Sequence, residues 1–322
     1  SYNNLAEIYE RQGEYKKAEA LYEKALRIRE RVRGEEHPDT AISYNNLAGI
    51  YKCQGEYKKA EALYEKALRI SEQILGEEHP DTATNYNNLG LVYCYQGEYK
   101  KAETLYEKAL RISERVLGEE HPDTATSYNN LAGIYERQGE YKKAKALYEK
   151  ALRINEQILG EEHPDTAISY HNLAELYKCQ GKYKKAEALY EKALRINEQI
   201  LGEEHLVTAT SYHNLAELYE CQGEYEKAKA LYEKALRINE QILGKEHTNT
   251  ATSYHSLAYL YTKQEKYERA LSYCLKSYNI FLRKLGQSHP NTQIVYKNMQ
   301  WIYFKCKPEN DFEQWLKTNI EQ

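Results

Sequence analysis

Ten histidines, six cysteines and a series of Asn-Asn pairs are the residues of this 322-residue chain whose chemistry stands out. Clustered histidine and cysteine hold metals or act as base and nucleophile. Asparagine offers two N–H donors and an acceptor oxygen, so it pairs with a peptide backbone whatever side chain lies beyond it. Spacing decides among these chemistries. His37, His79, His121, His163, His205 and His247 recur at one place in a repeating segment, with His289 as a seventh. Capping or turn geometry explains them better than a metal. His171, His213 and His255 share a register, but successive members stand 42 residues apart, too far in a stack of helices for shared coordination through bonds of about 2 Å. Neither an HExxH motif nor a paired CxxC is present. Cys53, Cys179 and Cys221 occupy one equivalent position rather than pairing, and no Asn-x-Ser/Thr sequon occurs, which favours a reducing compartment. Cys94 reads as a small-residue filler rather than an exposed thiol. With no nucleophile–base set, phosphate loop or dinucleotide fingerprint, the expectation is a chain without catalysis, cofactor or metal.

The elements that carry these residues follow from a repeat. Tyr2, Tyr44, Tyr86, Tyr128, Tyr170, Tyr212, Tyr254 and Tyr296 are each 42 residues apart, and Lys16–Ile28 has the same thirteen letters as Lys58–Ile70. In one unit, Pro38 and Asp39 open a helix: proline loses nothing at the first helical position, and an acid there complements the helix dipole. Ala41, Tyr44, Leu47, Ala48 and Tyr51 form its apolar stripe. Gly55 ends it, and Tyr57 starts a second helix with Ala60, Leu63, Tyr64, Ala67, Leu68, Ile70 and Ile74 on its apolar side. Gly76 ends that. Thirteen of sixteen glycines and five of six prolines sit at these turns, which predicts helix–turn–helix units stacked as a solenoid. The tyrosines are read as core, with hydroxyls reaching the rim. The Lys-Lys pairs (Lys58–Lys59 and equivalents) and Glu-Glu pairs (Glu77–Glu78 and equivalents) predict a basic ridge and an acidic ridge on different edges. A net charge of −4 and the lack of a basic groove exclude bulk nucleic-acid binding. No apolar run reaches the roughly 18 residues of a membrane span, and no basic-then-apolar leader stands at the start.

A second face of each first helix varies between copies while the core letters barely change. In the second unit it carries Ile42, Asn45, Gly49 and Lys52, flanked by Asn46 and Cys53. One row reads Asn3, Asn45, Asn87, Asn129, His171, His213, His255. Its neighbour reads Asn4, Asn46, Asn88, Asn130, Asn172, Asn214, Ser256. Arg11, Lys52 and Arg137 give the N-terminal half positive character, whereas Glu175, Glu217 and Glu220 make the C-terminal half acidic. This polarity suits a ligand acidic at one end and basic or aromatic at the other. The alternative for the Asn row is solvation, or a bond across to the next helix.

Leu47-Ala48, Tyr51, Gly55, Tyr57, Ala60, Tyr64 and Ala67 match the tetratricopeptide pattern of Leu-Gly, Tyr, Gly, Tyr, Ala, aromatic, Ala. The period exceeds the usual 34. Together with Tyr-Asn-Asn-Leu-Ala and Leu-Gly-Glu-Glu-His-Pro-Asp-Thr, it resembles the kinesin light chain type of repeat over about Ser1–Asn298. The resemblance implies an all-α right-handed α-solenoid, a superhelix of helix-turn-helix repeats with the first helices on its concave wall. It also implies a peptide-holding role for Asn45, Asn87 and Asn129, extended to His171 and His213. The full candidate groove is Asn45, Asn46, Asn87, Asn88, Asn129, Asn130, Arg137, His171, Asn172, Glu175, His213, Asn214, Glu217 and His255. The Lys-and-Asn carboxylate clamp of chaperone-tail binders is missing, since Asn or His stands where it needs lysine.

The expected organisation is a repeat array over 1–306, seven full or nearly full units plus an eighth first helix, and a capping helix over 307–322. In the cap, Lys307–Asn310 form a turn and Phe312, Trp315, Leu316 and Ile320 line one face. Ser1 aligns with Ser43, so sequence upstream is expected. The expected function is a non-enzymatic, monomeric, cytoplasmic scaffold for a protein or peptide ligand, with cargo adaptation as one form. The alternatives are a sensor array attached to an upstream effector or nucleotide-hydrolysing domain, and a self-assembling rod.

Overall fold

The computed structural model describes residues 2–307 and 311–320. Among them are sixteen helices and no strand. They run α1 (Tyr2–Arg11), α2 (Tyr15–Arg33), α3 (Pro38–Cys53), α4 (Tyr57–Ile74), α5 (Pro80–Gln96), α6 (Tyr99–Leu117), α7 (Pro122–Arg137) and α8 (Tyr141–Ile158). Then come α9 (Pro164–Cys179), α10 (Tyr183–Leu201), α11 (Leu206–Cys221), α12 (Tyr225–Ile242), α13 (Thr248–Lys263), α14 (Tyr267–Leu285), α15 (Pro290–Cys306) and α16 (Phe312–Asn319). The chain divides into two compact units, Ser1–Leu189 and Tyr190–Gln322. In the first, α1 packs on α2, α3 on α4, α5 on α6 and α7 on α8; in the second, α11 packs on α12 and α13 on α14.

The recurring histidines are caps. The Nδ1 of His37, His79, His121 and His163 accepts the backbone N–H two residues on, at 3.1 Å each. His205, His247 and His289 do the same. Each thereby satisfies one of the N–H groups a helix start leaves free. The threonine that follows joins the new helix to the end of the previous one. Thr82 Oγ1 donates to the Gly76 carbonyl at 2.9 Å and Thr124 Oγ1 to that of Gly118 at 2.8 Å, and both threonines are fully buried.

Tyrosines connect successive hairpins. Tyr44, Tyr86 and Tyr128 donate to Glu30, Glu72 and Glu114 on the preceding second helix at 2.8, 2.6 and 2.5 Å. Their rings are 1–2% exposed. Burial raises the phenol of Tyr212 to about 12, with Glu198 adding to the shift. The loop glutamates take basic partners from the next repeat. Glu36 pairs with Arg69 at 2.7 Å, Glu119 with Lys150 at 2.9 Å and Glu204 with Arg237 at 2.7 Å. These loop acids are thus partly compensated, because each loop folds beside the basic second helix of the next repeat.

At the far end, α16 closes on α15. Phe312 and Leu316 are buried, the Tyr303 and Trp315 rings lie 4.9 Å apart, and Ile320 packs on the same cluster. Asp311 caps the helix by accepting from the N–H groups of Glu313 and Gln314. The expected turn over Lys307–Asn310 lies outside the described residues from Pro308 to Asn310.

One turn departs from the repeat. The first helices of the preceding units end on glycines such as Gly97 and Gly223, both at φ 78°, but the seventh has Glu265 at φ 59°. A non-glycine residue pays about 1 kcal/mol or more in this region. Glu265→Gly is therefore expected to raise stability by about 1 kcal/mol, seen as an upward shift of the thermal midpoint.

Candidate functional site

Equivalent cavities lie between consecutive first helices. One of about 300 Å³ between α3 and α5 is lined by Ile42, Asn45, Ile74, Leu75, Thr84 and Asn85. One repeat on, a cavity of about 290 Å³ is lined by Thr84, Asn87, Val116, Leu117, Thr126 and Ser127. In the second unit, Val207, Thr210, His213, Asn239, Thr252 and Ser253 line one of about 310 Å³. The first two have an apolar floor from the end of a second helix (Ile74 and Leu75; Val116 and Leu117) and a polar wall from two helix starts. In the third the apolar lining is Leu206 and Val207 of the first helix itself, and the second helix contributes Asn239. Sequence reasoning counted Ile74 as core, yet it is 49% exposed and forms part of this floor. The signal was a conserved apolar letter one turn beyond the last buried position, at Val32, Ile74, Val116, Ile158, Ile200 and Ile242.

The candidate residues divide by what they touch. Asn45 Nδ2 donates to Asn85 Oδ1 at 2.7 Å, and Asn85 donates on to Ser71 Oγ at 2.7 Å. Asn129 Nδ2 reaches Ser169 Oγ at 3.4 Å, and Ser169 also accepts from Asn155 at 3.0 Å. The bond across to the next helix, one of the two alternatives for this row, thus holds at Asn45 and Asn129. Asn45, Asn87, His213 and His255 line cavities. The Oδ1 atoms of Asn3, Asn45, Asn87 and Asn129 are buried without a hydrogen-bond partner. Asn46, Asn88, Asn130, Asn172, Asn214 and His171 are half-buried on the same helices. His255 bonds Asn298 at 2.9 Å; an amide nitrogen only donates, so Nε2 of the histidine accepts. Burial lowers the pKa of His255, which keeps it neutral.

The charged candidates are more compensated than their letters suggest. Arg137 is exposed, and its charge lowers the Cys94 thiol against the rise that burial imposes. Cys94 itself is 9% exposed, in keeping with its reading as filler. Glu175 pairs with Lys178 at 2.8 Å, and Glu217 Oε1 lies 3.3 Å from His213 Nε2. Glu220 accepts from the Tyr232 hydroxyl at 3.1 Å. Burial, with Glu217 adding repulsion, raises its carboxyl to about 7. The acidic C-terminal half is therefore weaker than expected at neutral pH. Among the described residues no group of three or more His, Cys, Asp or Glu is gathered as a metal ion would require, and no helix is long and apolar enough to cross a membrane.

Paired helices closed by glycine turns, with small residues facing tyrosines, define the tetratricopeptide solenoid class of all-α folds. The family model described as tetratricopeptide repeat matches residues 1–73, 44–114, 81–157, 123–199, 165–241 and 207–283, and the chain belongs to this family. No curated protein matches it. Among solved structures it is similar to BtubC (BKLC) from P. vanneervenii at 29% identity, covering 69% of this chain and 88% of that one with a TM-score of 0.53. It is similar to the nearly identical TPR-like repeats of a kinesin light chain-like protein from Podosopora anserina at 30% identity, covering 64% and 97%, TM-score 0.50. A tetratricopeptide repeat protein from Parabacteroides merdae shares the fold over 94% of this chain and 97% of its own, at 20% identity and a TM-score of 0.57.

Glu220 makes a pH dependence testable. Its native pKa, about 7, lies above the ordinary carboxyl value of the unfolded chain, so the native state holds this proton more tightly. Its contribution is fully present at low pH and is lost as pH rises through 7. Discounted for partial solvation, the loss is on the order of 1 kcal/mol. Glu220→Gln, which keeps an acceptor for Tyr232, is expected to remove it. The urea midpoint of the variant then exceeds that of the parent more at pH 8 than at pH 5.

Proposed function

We propose that the chain is a non-enzymatic scaffold that binds an extended peptide segment across the first helices. Tetratricopeptide repeats typically mediate protein–protein interaction, and a ladder of one subsite per repeat suits a ligand that engages several units in turn. The observation that carries this reading is the recurrence of cavities in which an apolar lining stands beside an Asn or His at a fixed register. The lining would take a side chain, and the amide would take a backbone group. The unpartnered Oδ1 atoms support it as well. An unmet buried acceptor costs about 1–3 kcal/mol, which a peptide N–H reached by rotation of the amide would recover. Likeness to kinesin light chain-like repeats supports cargo adaptation in the cytoplasm as one form of this reading. In this proposal the repeats supply the binding subsites and α16 the end cap.

Asn87 is the informative position, because it lines a cavity and its Oδ1 has no partner. Twelve-residue peptides selected from a random phage-displayed library against the full chain provide the probe. Asn87→Ala is expected to weaken them about tenfold, the worth of one or two peptide hydrogen bonds, while the thermal midpoint stays within a few degrees. Selected peptides that bind N87A, N45A and N129A as tightly as the parent would sink the reading.

A further inference from the structure

The second helices carry a tyrosine at one register in six repeats: Tyr22, Tyr64, Tyr106, Tyr148, Tyr190 and Tyr232. All six are 2–6% exposed. The ring lies against the first helix of its own repeat. Tyr148 donates to Glu136 at 2.9 Å and Tyr232 to Glu220 at 3.1 Å, and the His213 ring meets Tyr232 edge-on at 5.2 Å. A Cβ added at Gly133 would stand 3.5 Å from the Tyr148 hydroxyl. The ring therefore fills the space beside three first-helix registers, those of His213, Gly133 and Glu136.

In the seventh repeat this register holds Cys274. A thiol replaces a phenol ring, and a cavity of about 400 Å³ stands beside it. Its lining includes His255, Tyr259 and Thr262, the same three registers that hold the tyrosine ring elsewhere. Ile302 and Asn298 close it from α15, and Trp301 stands at its edge. Tyr259 and Trp301 are 45% and 52% exposed, so the walls are aromatic and the mouth is open. The strained Glu265 also lines the cavity.

We infer that this cavity is a binding site for a phenol ring supplied from outside the chain, which takes the place the chain's own tyrosine fills in the other repeats. Six internal copies show what the space accommodates, so the occupant is a planar six-membered ring rather than an aliphatic chain or an ion. Thr262 stands where Glu136 and Glu220 accept a tyrosine hydroxyl. Its own hydroxyl donates to the Ala258 carbonyl at 2.8 Å, which leaves its oxygen to accept from the guest. The ring's source is either a tyrosine side chain of a bound peptide or a free phenol. Only the first of these rests on the peptide-binding reading.

The test uses p-cresol and the capped tripeptide acetyl-Gly-Tyr-Gly-amide, titrated into the full chain carrying Trp315→Phe so that Trp301 is the fluorescent reporter. A ligand of eight heavy atoms in such a site is expected to bind with a Kd on the order of 1 mM. Cys274→Tyr restores the internal ring and is expected to weaken p-cresol at least tenfold, whereas Cys274→Ala keeps the space and changes Kd less than threefold. Should C274Y fail to fold by circular dichroism, Cys274→Leu fills part of the void and is expected to weaken binding in the same direction. Binding of both probes assigns the site to a peptide side chain, and binding of p-cresol alone assigns it to a free phenol. Absence of p-cresol binding to the parent, undiminished binding to folded C274Y (or to C274L where C274Y does not fold), or loss in C274A overturns the inference. The readout is independent of Asn87, so failure of the peptide scaffold reading leaves it standing.

Discussion

Everything in each unit depends on how a hairpin buries a tyrosine against the hairpin before it. The ring of Tyr86 or Tyr128 is almost wholly removed from water, and its hydroxyl lands on a glutamate of the preceding second helix. A bare apolar residue there would bury area without direction. The hydroxyl fixes register as well, since an unpaired buried phenol is costly. Lysines add to the joint, with Lys150 over the Tyr128 ring at 4.3 Å and Lys234 over Tyr212 at 4.2 Å. Thirty-three tyrosines against three phenylalanines reflect this choice of a ring with a polar handle.

Most of the fold was legible because its signals are repeated. Pro38 at a helix start, Gly55 at a helix end and the stripe of Ala41, Tyr44, Leu47 and Ala48 recur with a fixed period, and local preference and global packing agree at each copy. The histidine caps were legible for the same reason, as members of a loop. Less legible was the fate of long side chains. Glu36 and Arg69 are far apart in sequence, and only the proximity imposed by the fold pairs them. Ile74 looked like core because periodicity reports a helix face without reporting how far the neighbouring helix extends.

The candidate site divides along the same line. Variation among copies singled out the first-helix row, and cavities lie along it at Asn45, Asn87, His213 and His255. It did not distinguish a residue that faces a ligand from one that braces the next helix, because an amide does either with the same atoms. Asn45 and Asn87 both line cavities with their Oδ1 unmet, but Asn45 also braces the next helix by donating to Asn85. The exchange of Tyr232 for Cys274 at one register was visible as a letter. Its meaning needed the space around it.

Some of the joints between hairpins are short in sequence. Tyr86 reaches back fourteen residues to Glu72, and Thr124 reaches back six to the Gly118 carbonyl. A chain held mainly by ties between adjacent hairpins opens without first breaking contacts between distant ones. Pulled or heated, it is expected to give way one hairpin at a time from its least supported end, more like a zip than a lock.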